Sequence, residues 1–198
     1  MNNPQRNLET FEHGFVVGVT GHRFLIFENG LVEAIKAFFD TILDHNSFHE
    51  PLVIISPLAE GADRLVARVA LEQYQAKLWV PLPMPMKAYM EDFCCEDSKA
   101  EFMQLIEQAS KVTVMPKAQD RNDSYHQAGM LMLRHCKVLI ALWDGKDARG
   151  HGGTANIVQT ALSMNKPIGH ILSENHTSEH EKNKKVHHCI QWHYMDLL

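Results

Sequence analysis

Three short stretches carry the residue types that could hold, or cut, a phosphorylated ligand. The first is Gly21-His22-Arg23. Arg23 offers paired N–H donors that match a phosphate, and His22 can donate to such a group or to a hydroxyl. The second is Glu60-Gly61-Ala62-Asp63, two carboxylates three residues apart. At a helix start they need do no more than complement its dipole. Beside a nucleotide they would accept from ribose hydroxyls, or serve as nucleophile or general base in N-glycosidic chemistry. They would repel a phosphate, so the phosphate belongs elsewhere. The third stretch runs from Asp144 to Thr154 and includes Gly150, Gly152 and Gly153. Glycine lets backbone approach a ligand closely, and a helix opening at Thr154 would present free N–H groups and a positive dipole end to an anion. Asp144 stands where it can receive a ligand hydroxyl or cap the loop. No Gly-Lys-Ser/Thr follows the glycines and their spacing is not GxGxxG, which argues against a Walker loop and a dinucleotide dehydrogenase.

These stretches need elements to position them. Phe15–Thr20, Leu52–Ser56, Leu78–Pro81, Val112–Met115, Val138–Trp143 and Ile168–Leu172 are short apolar runs that predict buried strands. Between them, apolar residues recur at helical spacing: Leu31 to Leu43, Leu65 to Ala70, Phe102 to Ala109, Tyr125 to Cys136 and Ile157 to Leu162. Ser98 with Glu101 reads as a capping box, and Asn122-Asp123-Ser124 as the cap of the next helix. The prolines at 81, 83 and 85 should not sit inside a central strand. They predict a long loop to Asp97, with Tyr89 and the methionines as apolar contacts. Cys189–Tyr194 predicts a small edge strand. The alternation implies a three-layer α/β architecture, an open, mostly parallel sheet with helices on both faces. All three polar stretches then fall at carboxyl ends of strands, where such sheets bind ligands.

The 198 residues predict a single domain over 1–198, with a polar N-terminal extension at 1–13 and a mobile polar loop at 173–188. At 45% hydrophobic and 22% charged the composition is that of a soluble globular protein. A net charge of −5 gives no basic field for long nucleic-acid contacts, so nucleic acid is not the expected partner. No run of 18 apolar residues and no apolar leader occur, which predicts a cytoplasmic protein without a membrane partner. The four cysteines lack CxxC spacing and are expected to be reduced. Despite 13 histidines, no metal-ligand spacing occurs; no metal and no cofactor are expected.

VVGVTGHR at Val16–Arg23, SPLAEGADRLVA at Ser56–Ala67, and LIALWDG with GHGGTANIV between Leu139 and Val158 together resemble the SLOG superfamily. These Rossmann-like domains include the lonely-guy phosphoribohydrolases and nucleotide-sensing domains of bacterial defence systems. The resemblance runs to about Leu172. It implies nucleotide or nucleotide-sugar binding by Gly21, Arg23, Glu60, Gly152, Gly153 and Thr154, with Arg121 and Tyr125 also facing the site. It implies a homo-oligomer too. The lonely-guy motif PGGxGTxxE is not kept: aligned on Gly153-Thr154, His151 replaces a glycine and Ile157 replaces the catalytic glutamate. Isoleucine cannot move a proton. The expectation is therefore binding of a nucleotide, an ADP-ribose-like molecule or a nucleoside monophosphate, in a sensing or regulatory role. An N-glycosidic hydrolase or transferase with Glu60 or Asp63 as catalytic carboxylate is the alternative. An interaction module with a vestigial site is a third.

Overall fold

The computed structural model describes residues 14–25, 29–45, 50–146, 153–173 and 190–193. Strand β1 (Phe15–Gly21) leads through helix α1 (Asn29–His45) to β2 (Leu52–Ile55), α2 (Ala62–Tyr74) and β3 (Lys77–Leu82). Two short helices follow, α3 (Met86–Tyr89) and a 3-10 turn at Met90–Asp92, and then α4 (Glu96–Gln108) and β4 (Lys111–Val114). Helix α5 (Arg121–His135), β5 (Val138–Trp143), α6 (Thr154–Ser163), β6 (Ile168–Leu172) and β7 (Ile190–His193) complete the order. The polar extension at 1–13 and almost all of the predicted 173–188 loop lie outside the described residues.

The seven strands form one sheet in the order β4-β3-β2-β1-β5-β6-β7. Every pairing is parallel except that of β7 on β6, the predicted edge strand. The protein is thus a Rossmann-like α/β fold. One face is covered by α1, α2 and α4, whose Phe38, Phe39, Leu65, Val66 and Phe102 pack on Val17, Ile54, Leu78 and Ile140. The other is covered by α5 and α6, through Met132, Leu133, Ile157 and Val158 against Val16, Val53 and Leu139. Burial on both faces is why β1, β2 and β5 read as unbroken apolar runs. Leu31, Ile35, Phe38, Phe39 and Ile42 of α1 are fully buried, each stabilising by about 1.5–3 kcal/mol. The chain turns back between β1 and β5, so the cleft at their carboxyl ends is the topological switch point.

Four local expectations are corrected. Pro81 lies within β3, a strand flanked by β2 and β4, and pairs with Thr113. The Leu78 and Leu82 carbonyls accept on the β4 side and that of Trp79 accepts from Ser56 on the β2 side. The alternation turns the Pro81 nitrogen toward β2, past Ile55↔Trp79, the last β2–β3 pair, where the missing N–H breaks no ladder bond. The segment to Asp97 is a helical corner rather than a long loop. Ser98 sits inside the first turn of α4, which begins after Cys95, so no capping box forms. Helix α5 is capped two residues before Asn122, by Asp120, whose Oδ1 accepts from the Asp123 amide at 2.8 Å.

Candidate functional site

Hydrogen bonds to backbone carbonyls fasten the three polar stretches to one another. The His22 amide donates to the Leu142 carbonyl at 2.9 Å, and the His22 carbonyl accepts from the Ala62 amide at 3.0 Å. Thr154 Oγ1 donates to the Gly21 carbonyl at 2.8 Å. Such close approach needs glycine. A Cβ on Gly21 would lie 2.4 Å from that of Ala62 and 2.6 Å from the Leu142 oxygen. Gly61 holds φ +80°, and a Cβ there would meet the Arg23 carbonyl oxygen at 2.2 Å.

The junction borders a cleft of about 420 Å³ at the carboxyl end of β1. His22, Arg23, Asp63, Tyr89, Asn122 and Tyr125 supply its polar lining, with Gly153 and Thr154 at the opening of α6. Gly129, Met132 and Ile157 form an apolar wall. Gly153 caps α6 without a side-chain bond, and the amides of the first helical turn have no intrahelical acceptor. Unpaired amides at a helix start favour negative charge.

Arg23 is half-buried, its guanidinium carbon 5.4 Å from the centre of the Tyr125 ring. The Tyr125 hydroxyl donates to Asp92 Oδ2. Arg121 clamps the same carboxylate, Nε on Oδ2 at 3.0 Å and the terminal nitrogen on Oδ1 at 2.7 Å. Arg121 also donates to the Ala88 carbonyl at 2.6 Å and does not line the cleft. It anchors the wall that carries Tyr125.

Glu60 and Asp63 are separated by the turn at Gly61. Only Asp63 lies in the first turn of α2; Glu60 precedes the cap, which corrects the expectation of two acids there. Glu60 Oε1 accepts from the Cys94 amide at 2.9 Å and from the Ser98 hydroxyl. Burial alone would raise its pKa, but these bonds outweigh it and hold the carboxyl below its ordinary value. Ser98 in turn accepts from Arg64, a side chain only 1% exposed that also reaches Glu101 at 3.1 Å. Glu60 does not line the cleft. Asp63 does. Its Oδ2 accepts from the Ala59 amide at 3.2 Å, and burial pushes its pKa up to about 7. The bonds from Ala59 and Ser56 and the charges of Arg23 and Arg64 offset burial only in part.

His22 and Asp144, both expected at a ligand, meet each other. The Asp144 amide donates to His22 Nε2 at 3.1 Å, and Asp144 Oδ1 lies 3.3 Å from the same nitrogen. Asp144 also accepts from the Lys146 amide and lies outside the cleft lining. Gly150 and Gly152 fall outside the described residues. Among the described residues no group of three or more His, Cys, Asp or Glu side chains gathers as a metal site, and no helix is long and apolar enough to cross a membrane.

The structure therefore brings Gly21, His22, Arg23, Asp63, Tyr125, Gly153 and Thr154 together, and turns Glu60, Arg121 and Asp144 to other tasks. Sequence reasoning missed Tyr89, taken as an apolar contact, and Asn122, taken as a cap. The partner signal for Tyr89 was its hydroxyl, which an apolar core position does not require.

No family model matches the chain, and no curated protein matches it. Among solved structures, the X-ray structure of TM1055, a structural genomics target, is similar at a TM-score of 0.46 and 13% identity. The match covers 77% of this chain and 71% of that one. The Moco carrier protein from Chlamydomonas reinhardtii is similar at a TM-score of 0.42 and 17% identity, covering 79% of this chain and 75% of its own.

Proposed function

We propose that this protein binds a nucleotide or nucleotide-sugar in the β1–β5 cleft, in a sensing or regulatory role. The observation that carries this reading is convergence. The opening amides of α6, the guanidinium of Arg23 and the buried carboxyl of Asp63 border one cavity at the switch point of a parallel sheet. The phosphate belongs on the Gly153–Thr154 amides, away from Asp63, and the apolar wall of Met132 and Ile157 suits a base or sugar face. Ile157 supplies no acid or base, which favours holding over cutting. Calorimetric titration with nucleoside monophosphates and ADP-ribose tests this. Binding is expected in the wild type, with a loss of at least about 10-fold in Gly153→Asp, whose carboxylate would stand against the phosphate. Absence of binding across the panel overturns it.

A second reading draws on Asp63. A cleft carboxyl with a pKa of about 7 suits a general acid or base at neutral pH. It could protonate a leaving base or accept a proton from an attacking water. Glu60, engaged with Cys94 and Ser98, is poorly placed for either. Release of free base from a nucleoside monophosphate, abolished in Asp63→Asn, would establish that activity; binding without turnover would refute it.

A further inference from the structure

Tyr89 ends α3 and is fully buried. Its ring is held by Phe93, Phe102 and Tyr125, with centroids 5.1, 5.8 and 6.0 Å away. Rotation into solvent is blocked, so the ring has one place to put its hydroxyl. That hydroxyl has no hydrogen-bond partner among the described residues, although the side chain borders the cleft. Leaving a buried hydroxyl unpaired costs about 1–3 kcal/mol. Phenylalanine would pack among the same rings without that cost.

Asp63 borders the same cavity. It accepts from the Ala59 amide and the Ser56 hydroxyl, which leaves part of a carboxyl's capacity of about four acceptor positions unused. Its charge acts on the Tyr89 hydroxyl, second only to burial in raising that group's pKa. The Tyr89 hydroxyl can donate and accept, and the Asp63 carboxyl accepts, donating as well while it holds its proton. That combination fits hydroxyl groups, each of which is both donor and acceptor. It does not fit a phosphate, which only accepts and would be repelled by the ionised carboxyl.

We propose that Tyr89 and Asp63 form the sugar subsite of the cleft, Tyr89 taking the 2′-hydroxyl and Asp63 the 3′-hydroxyl of a ribosyl phosphate whose phosphate lies on the amides opening α6. This rests on the nucleotide-binding reading and narrows it to ribose over deoxyribose. Arg23 and Tyr125 line the same cleft, with the guanidinium stacked near the ring.

The test is calorimetric titration of the full chain with the four ribonucleoside 5′-monophosphates and their 2′-deoxy counterparts, repeated on Tyr89→Phe. The wild type is expected to favour at least one ribonucleotide over its deoxy form by about 10- to 100-fold. Tyr89→Phe is expected to remove most of that preference while deoxynucleotide affinity stays put, and its melting temperature reports that it folds. Equal affinity for both sugars, or an equal loss for both in Tyr89→Phe, overturns the sugar subsite and leaves nucleotide binding intact. If no nucleotide binds, both readings fall.

Discussion

Glu60 and Asp63 are the same chemistry three residues apart, and the fold gives them opposite environments. Glu60 faces the base of α4, where Ser98 and the Cys94 amide hold its charged form. Asp63 faces the cleft, where burial favours its neutral form up to about pH 7. The one is a strut between α2 and α4; the other borders the cleft with acceptor capacity to spare. What separates them is Gly61, whose φ of +80° turns the chain between the two acids and seats Ala62 under the His22 carbonyl. Burial alone does not mark a functional carboxyl. The distinction lies in whether its partners outweigh burial, as those of Glu60 do and those of Asp63 do not.

The sharpest way to break this contrast is to remove the turn. In Gly61→Ala the new Cβ would lie 2.2 and 2.4 Å from the carbonyl oxygens of Arg23 and His22, backbone atoms with no rotamer to yield, at a φ that alanine resists. A loss of at least about 3 kcal/mol is expected in denaturant titration. In whatever fraction remains folded, nucleotide binding should fail, because Arg23 and the α2 terminus no longer meet. Stability and binding both unchanged would show that the turn does not set the two environments.

Much of this arrangement was legible in the chain. Unbroken apolar strands alternating with amphipathic helices are enough to imply a parallel sheet, and a parallel sheet sends Gly21, Asp63 and Thr154 to one edge. The failures were of a different kind. Pro81 is tolerated because β2 ends before reaching it, and where a neighbouring strand stops is not visible in a strand's own residues. Ser98 has the spacing of a cap but is recruited by Glu60 and Arg64, both more than 30 residues away. Glu60 and Asp63 could not be told apart, since their difference lies in a dihedral angle. Tyr89 looked apolar because aromatic burial is the usual fate, and only the packed rings around it show its hydroxyl unpaired.

The strut side of the comparison predicts the next largest effect. Glu60→Ala leaves the Cys94 amide and Ser98 hydroxyl without their acceptor and is expected to cost about 2–3 kcal/mol at neutral pH. Because the folded pKa of Glu60 is lowered from 4.5, its contribution is present above that value and lost as pH falls through the folded one. The wild-type advantage over the variant should therefore shrink on acidification below about pH 4.5. Nucleotide affinity should be unchanged. A large loss of affinity with little loss of stability would instead return Glu60 to the site.

Asp63 predicts the opposite slope. The folded carboxyl keeps its proton up to about pH 7, whereas in the unfolded chain it releases it near 3.8. Between these values the folded state binds more protons, so this residue makes stability fall as pH rises, with the loss complete above about 7. Asp63→Asn keeps an oxygen for the Ala59 amide and cannot ionise, so that part of the slope should vanish. The variant's amide hydrogens need acceptors of their own, which limits the gain to about 1–2 kcal/mol at pH 8. Denaturant midpoints for wild type and variant should thus diverge from pH 5 to pH 8, with the variant the more stable at the top. A variant that is less stable at pH 8 would mean that Asp63 is, like Glu60, a partnered strut. The two acids would then differ in position but not in kind.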